Sequence, residues 1–396
     1  MTQDSSDVVI VSAKRTAIGR APKGALRNTR PDDLAAAAIL AALNALDGLS
    51  LTDVDDVILG CASPEAEQGL NIARIAALRA GLPDSIPGLT LNRFCASGLE
   101  AIAVAAAKIA SGQAELIVAG GVESMSMVPF MGPTLRPNPY LVANAPDTYL
   151  SMGPSVERIA KEYGITRADS DAFALESHRK ALAAQDAGRF EDEIVPITIC
   201  QEAAGPEHSA PATTVFDRDE SPRRSTSLEA LTQLKPAFAE DGIITAGNAS
   251  PLSDGAAAVV VTTRAIAQKH GWHPLARFAG YALSAVAPAR FGLAPANAIQ
   301  KLLKKTDRRL DEIDLIEFNE AFAAQVLAAN KLFELPMDRV NVNGGAVALG
   351  HPLGATGARQ TATLAYEARR RGAKYGIVTM CAALGMGAAA LFEFDR

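Results

Sequence analysis

The stretch LTDVDDVI at residues 51–58 returns as LDEIDLIE at residues 310–317, an offset of 259, and the same offset lays Ser97-Gly98 on Thr356-Gly357. Self-similarity at one fixed spacing marks a structural plan used more than once. The chain therefore reads as two related halves. Further along, IVAG at 117–120 matches IVTM at 377–380, and GAAAVVV at 255–261 matches GAAALFE at 387–393. These paired segments lie 10 positions apart in the second half and 138 in the first, which leaves an insertion of 128 residues in the first half. The expected division is a first half over residues 1–271, interrupted by a loop or lid domain at about 122–250, and a second half over residues 272–396.

Each half alternates short apolar runs with alanine-rich stretches. DVVIVSA (7–13), DDVILG (55–60) and AELIVAGG (114–121) have the length and apolarity of buried strands. DDLAAAAILAALNAL (32–46) and GLEAIAVAAAKIASG (98–112) are strong helix formers. Such alternation predicts an α/β fold with a mostly parallel sheet covered by helices. The insertion differs: it collects Met125, Met127, Met131, several prolines and a polar helix candidate at 168–188. Methionines at this spacing fill irregular cores, and a flexible apolar surface of this kind also suits an acyl chain.

Composition narrows the function classes. A 396-residue chain with 48% hydrophobic residues can bury substantial cores, and its net charge of −6 lacks the basic excess that a nucleic-acid partner needs. The opening MTQDSSDVVIVSAKRT has neither the charged start nor the long apolar centre of a signal peptide, and no stretch has the roughly 18 apolar residues that span a bilayer. A cytoplasmic location without membrane contact is expected. The cysteines at 61, 95, 200 and 381 are too few and scattered for a disulfide framework and form no C-x-x-C pair, so neither disulfides nor a metal site is expected.

Four residues in glycine-rich, nearly charge-free settings stand out. Cys95 follows the strand-like PGLTLNRF and precedes Ser97 and Glu100, which have capping-box spacing ahead of the alanine-rich helix. A thiol at a helix N-terminus gains from its free N–H groups and partial positive charge, which predicts a lowered pKa and a nucleophile. Cys61 and Cys200 lack such a setting and read as small buried hydrophobes. His351 lies in GGAVALGHPLGATGA, where it can take a proton from Cys95, donate to an oxyanion, or serve structure alone. Cys381 ends the apolar run YGIVTM; by itself it fits buried filler as well as a second, base-like thiol. Asn319, after DLIEF, fits both a helix cap and a group that orients water or an oxyanion. Arg223 and Arg224 read as a surface pair that could hold a small anion.

NRFCASGLEA, TSLEALTQLKPAF, TAGNASPLSDGAAA, NEAFA, NVNGGAVALGHPLGATGAR and CAALGMG, in this order, resemble the successive signature stretches of the thiolase family. The likeness runs from VIVSAKRTAIGR to the C-terminus. It implies the thiolase fold: two similar βαβαβαββ halves in a five-layered α-β-α-β-α arrangement, with a loop domain inserted in the first. It implies coenzyme A thioesters as substrates, no permanently bound cofactor, and a homodimer or homotetramer. Cys95 would be the acylated nucleophile, His351 would activate it and share an oxyanion hole with a water held by Asn319, and Cys381 would move the proton at the α-carbon or departing thiol. The backbone N–H groups of Cys95 and Ala383 would form a second oxyanion hole. Arg223, Phe238, Ala246 and Ser250 fall where the family contacts coenzyme A, and Met152 falls on the loop over the acyl pocket.

Two departures from the family pattern matter. Many relatives have three glycines after the second cysteine, whereas this chain has Ala382-Ala383-Leu384-Gly385, so the Ala383 methyl and Leu384 are expected to narrow the pocket. Short-chain biosynthetic members commonly carry histidine before the Met-Gly of the lid, where Ser151 stands here. That implies a degradative 3-ketoacyl-CoA thiolase acting in fatty-acid β-oxidation, with acetoacetyl-CoA synthesis as the alternative. A cysteine thioester hydrolase would not need Cys381, an acyl-CoA binding protein would need neither thiol, and a ketosynthase relative would have histidine for the second cysteine.

Overall fold

The computed structural model describes residues 4–201 and 212–395, apart from the side chains of Cys200, Gln201 and Ala212, so the expectation for Cys200 lies outside the described part. The main elements run β1 (Val8–Thr16), α1 (Pro31–Asn44), β2 (Asp56–Gly60), α2 (Ile72–Arg79), β3 (Gly88–Leu91), α3 (Ser97–Ala110) and β4 (Leu116–Ser124). An excursion carrying α4 (Met152–Glu162) and α5 (Arg167–Asp186) then returns to β5 (Ser253–Thr263). The second half comprises β6 (Ala276–Ala285), α6 (Ala294–Thr306), β7 (Leu315–Phe318), α7 (Ala323–Phe333), α8 (Leu353–Arg371), β8 (Tyr375–Ala382) and β9 (Met386–Glu393).

The strands follow the order β7-β8-β9-β6-β1-β5-β4-β2-β3, and the sheet is mixed, not mostly parallel as expected: β7–β8, β4–β2 and β2–β3 pair parallel through helical crossovers, while the other five neighbouring pairs are antiparallel. Its two halves meet at the antiparallel pair β1–β6, which has Val9 opposite Arg277 and Ile10 opposite Ala276. Three apolar cores give the layers. One lies between α1, α2 and the outer face of the first half-sheet (Leu34, Ile39, Ile72, Val118, Val260). The second encloses α3 and α8 between the inner faces of both half-sheets (Ile102, Ala358, Ile117, Val259, Val378, Ala390). The third sits under α6 and α7 (Ile299, Leu302, Val326, Ile377, Leu391). Among the described residues no helix is long and apolar enough to cross a membrane.

The repeat has a structural cause. Leu51–Asp53 and Leu310–Glu312 each form a 3₁₀ turn, and the aspartate that follows staples the next parallel strand. Asp55 Oδ2 accepts the N–H groups of Glu115 (2.6 Å) and Leu116 (3.0 Å), while Asp314 Oδ2 accepts those of Lys374 (2.7 Å) and Tyr375 (3.0 Å). These staples keep the offset at 259, so Leu116 corresponds to Tyr375 and Ile117 to Gly376. The match of IVAG to IVTM is therefore one residue out of register. Ile117 faces the central core and Ile377 the outer one, and a one-residue slip in a strand exchanges its faces. The offset becomes 131 for Thr262 and Glu393, which pair with Leu116 and Tyr375. The excess in the first half stays at 128 residues.

The second half carries its third strand in reduced form, as the single bridge Ile316–Val340. The next residue, Asn341, has φ +45°. Its amide replaces the ladder, donating from Nδ2 to Phe318 O and accepting the Phe318 N–H at Oδ1, both at 2.8 Å.

Candidate active site

Cys95 sits in the short turn Phe94–Ala96 between β3 and α3 and is 1% exposed. Phe94 has φ +50°, and its N–H donates to Asn92 Oδ1 (2.7 Å). The expected capping box does not form. The Ser97 hydroxyl turns back to accept the Arg93 N–H (2.8 Å) and donate to Phe94 O (2.7 Å), which braces the turn. Glu100 pairs with Arg93 (2.6 Å) and accepts from the Tyr281 hydroxyl. The expected thiol acidity is also reversed. Burial pushes Cys95 up to about 12, against the lowering effect of the Cys95 and Ala383 N–H groups near its sulfur. Position at a helix start is legible in sequence, but desolvation is set by the surrounding fold and outweighs it here.

His351 stands just before α8, 4% exposed. Its N–H donates to Ser253 Oγ (3.0 Å). Gly350 has φ +105°, and a Cβ there would come within 2.6 Å of that Oγ. Nδ1 lies 2.6 Å from Thr356 Oγ1, whose hydroxyl has its own acceptor in Pro352 O (2.9 Å). Nδ1–H therefore donates to Thr356, and Nε2 presents its lone pair to the Asn319 amide, Nδ2, at 3.1 Å. Burial, with help from Arg359, holds the imidazole down at about 3, so it is neutral at neutral pH. Asn319 follows β7, its N–H bound to Thr379 O (2.9 Å), and its Oδ1 is buried with no hydrogen-bond partner among the described residues.

Cys381 lies near the end of β8, fully buried, and its thiol is pushed up by burial and by the neighbouring Cys95. Ala383, Leu384 and Gly385 form the turn to β9, with Leu384 at φ +62° and Gly385 at φ +85°. Gly385 has no room for a side chain, since a Cβ would lie 2.2 Å from Val286 O. Neither Ala383 nor Leu384 lines the cavity described next, and Leu384 is 41% exposed. The left-handed turn carries the leucine outward, and the Ala383 N–H is directed toward the Cys95 sulfur.

A cavity of about 490 Å³ opens beside His351. The excursion supplies Met125, Phe130, Met152, Phe238, Ala246 and Ser250, and the second half supplies Ala321, Phe322 and Leu353. Cys95 belongs to the same small apolar cluster as the wall residues Met125 and Leu353, and Cys381 to the cluster of Met152 and Phe322, so each thiol shares a core with part of the wall. Ser250 is fixed by N–H and hydroxyl bonds to Ala321 O, both 3.0 Å. Phe238 stacks edge-on against Phe322 at 6.2 Å. Arg223 is not part of the lining. It is exposed, next to Arg20, and its N–H donates to His178 Nδ1 (3.2 Å). Arg224 pairs with Asp186 instead.

The family descriptions Thiolase, N-terminal domain and Thiolase, C-terminal domain match residues 8–265 and 272–394. The chain belongs to the thiolase family. It is 47% identical to the 3-ketoacyl-CoA thiolase of Bacillus subtilis over 98% of this chain and 99% of that one. It is 46% identical to an acetyl-CoA acetyltransferase of Pseudomonas aeruginosa over 98% and 100%. The solved structure of the Bacillus anthracis acetyl-CoA acetyltransferase superposes with a TM-score of 0.89 at 43% identity, covering 98% of this chain and 99% of that one. The thiolase fold and an acyltransferase activity follow from family membership.

The site also contains residues that sequence reading missed. Thr356 was noticed only as a repeat partner of Ser97, yet it orients the imidazole. Glu123, in the stretch VESMS, is buried and binds segments from both halves. Its one signal was an acidic residue at the end of a strand otherwise free of charge.

Proposed function

We propose that this chain is a 3-ketoacyl-CoA thiolase that cleaves its substrate with coenzyme A to acetyl-CoA and a shortened acyl-CoA. The observation that carries this reading is the pair of neighbouring buried thiols beside one apolar cavity, which is also lined by a neutral imidazole whose Nε2 meets the Asn319 amide. A hydrolase needs one thiol and a water, whereas carbon–carbon cleavage needs a nucleophile and a separate proton donor for carbon.

In the proposed cycle His351 Nε2 takes the Cys95 proton as the sulfur attacks the 3-keto carbon. The bond between C2 and C3 breaks, the acyl group stays on Cys95, and the acetyl-CoA enolate takes a proton at C2 from Cys381. Coenzyme A then gives its thiol proton to Cys381 and attacks the acyl group, and Cys95 leaves as it recovers its proton from His351. Two high thiol pKa values suit this order, because neither sulfur is spent as a free thiolate before substrate arrives. The unpartnered Asn319 Oδ1 suits a water bridging toward the first oxyanion, and the Cys95 and Ala383 N–H groups suit the acyl-enzyme oxyanion.

Phe238, Ala246 and Ser250 would hold the pantetheine arm, Met152 would cover the acyl chain, and Arg223, outside the cavity, would meet the nucleotide end. The apolar lining and its size support acyl groups longer than acetyl, hence the degradative direction over acetoacetyl-CoA synthesis. The reading extends to a cytoplasmic homodimer or homotetramer. Its test is thiolysis across 3-ketoacyl-CoA chain lengths. Turnover of six- to ten-carbon substrates at least equal to that of acetoacetyl-CoA is expected, and activity confined to acetoacetyl-CoA would favour the biosynthetic alternative.

A further inference from the structure

We propose that Glu123 is a positioning residue for this reaction, a buried carboxylate that clamps the start of α8, and with it His351, onto the strand ends beside Cys95. The inference rests on the thiolase reading and goes beyond it in assigning a group that does not touch substrate.

Glu123 is the penultimate residue of β4 and is 1% exposed. Its Oε2 accepts the N–H groups of Ala62, just past β2, and Gly354, in the first turn of α8, both at 2.8 Å. Its Oε1 accepts from Ser63 N (3.2 Å) and Gln68 Nε2 (2.7 Å). Gln68 is itself held, donating to Ser63 O (2.7 Å) and accepting the Ser124 N–H. These four N–H donors hold the carboxylate in place, while burial, the larger effect, still pushes its pKa above the ordinary carboxylate range.

What the clamp holds is specific. The 19-residue helix α8 has Pro352 at its N-cap and no side-chain cap of its own. Glu123, from the other half of the molecule, supplies the missing acceptor and places a negative charge at the positive end of the helix. The approach is backbone against backbone: a Cβ on Gly354 would lie 2.5 Å from Val122 O and 2.8 Å from Gly60 O. His351 directly precedes the capped turn. Losing the carboxylate frees the segment that carries the base.

The charge has a second effect. The titratable groups that interact with the carboxylate are Cys61, whose sulfur is 3.8 Å away, and Cys95 on the turn before α3. Beside burial, the larger effect, the Glu123 carboxylate adds to the upward push on the Cys95 thiol.

The test compares Glu123→Gln and Glu123→Asp in the full-length enzyme. The readouts are kcat, KM for coenzyme A, and the pH profile of Cys95 alkylation by iodoacetamide. Misplacing a catalytic group by about 1 Å costs on the order of 10²-fold in rate. A fall of that size in kcat is expected for both variants, with KM for coenzyme A held within about twofold. Glu123→Gln removes the charge and is expected to shift the alkylation profile to lower pH, while Glu123→Asp leaves it in place. A kcat near wild type in both variants, or an alkylation profile unmoved in Glu123→Gln, would overturn the proposal. If Glu123→Gln does not fold, kcat and KM of Glu123→Asp decide alone. Failure of the thiolase reading is distinguishable, because wild type would then form no acyl-Cys95, while the alkylation profiles still report where the carboxylate acts.

Discussion

Replacing Thr356 by valine probes how the imidazole is oriented. The change is nearly isosteric and removes one hydroxyl, leaving His351 Nδ1–H facing a methyl group in a buried site where the Thr356 hydroxyl had been its partner at 2.6 Å. A buried donor left unpaired costs about 1–3 kcal/mol. The ring can escape by moving its proton to Nε2, but that points N–H toward the Asn319 amide and removes the lone pair that receives the Cys95 proton. Either outcome takes about 1–3 kcal/mol from the state that starts catalysis, roughly 5- to 150-fold in the rate of acylation. Single-turnover acylation of Cys95 measures this step apart from product release. Thr356→Ser keeps the hydroxyl and is expected to stay within about threefold of wild type. A Thr356→Val enzyme that acylates at the wild-type rate would refute the assignment of Nδ1 as the donor.

Two further outcomes are expected. Cys381→Ala retains formation of acetyl-Cys95 from acetyl-CoA but loses carbon–carbon bond formation by at least about 10²-fold, within the range for a general acid–base group; unchanged condensation, measured as acetoacetyl-CoA formed, would remove Cys381 from the mechanism. Acid stability follows from the buried histidines. His178 is held down to about 4 and His351 to about 3, below the ordinary 6.5, so the unfolded chain binds these protons first and stability falls as pH drops below 6.5. His178→Asn keeps an acceptor for the Arg223 N–H and removes one such proton. The slope of unfolding free energy against pH between 6 and 4.5 should drop by about 1.4 kcal/mol per pH unit in denaturant titrations, and an unchanged slope would contradict the assignment.

The repeat made much of the fold legible because the residues that survive in both halves are those that join strands. Asp55 and Asp314 bind the backbone of the neighbouring strand in the same way, so the 259-residue offset is a geometric fact. The IVAG and IVTM match misled by one position because apolar strand residues are interchangeable, while the face they occupy is set by pairing partners far away in sequence. Asn341 was invisible for a related reason: nothing in NVNGG says that a side-chain amide will stand in for a strand.

At the site, Met152, Phe238, Ala246 and Ser250 line one cavity with His351, Asn319 bonds to that histidine and the two thiols neighbour each other, while Arg223 is exposed and outside the lining. Local reading identified positions but misjudged energies. Cys95 has the helix-start setting that favours a thiolate, yet complete burial dominates. The roles of Thr356 and Glu123 are not legible in the sequence because they lie in what these residues hold, and those partners are 5 and 231 residues away.

The central claim is that Cys95 accepts the acyl fragment left when carbon–carbon cleavage removes acetyl-CoA. Intact-mass and peptide mass spectrometry after brief mixing with 3-ketohexanoyl-CoA, without free coenzyme A, measures this directly. A butyryl group on Cys95 with release of acetyl-CoA is the expected result. A 3-ketohexanoyl group on Cys95, free acid in solution, or an unmodified Cys95 would contradict it.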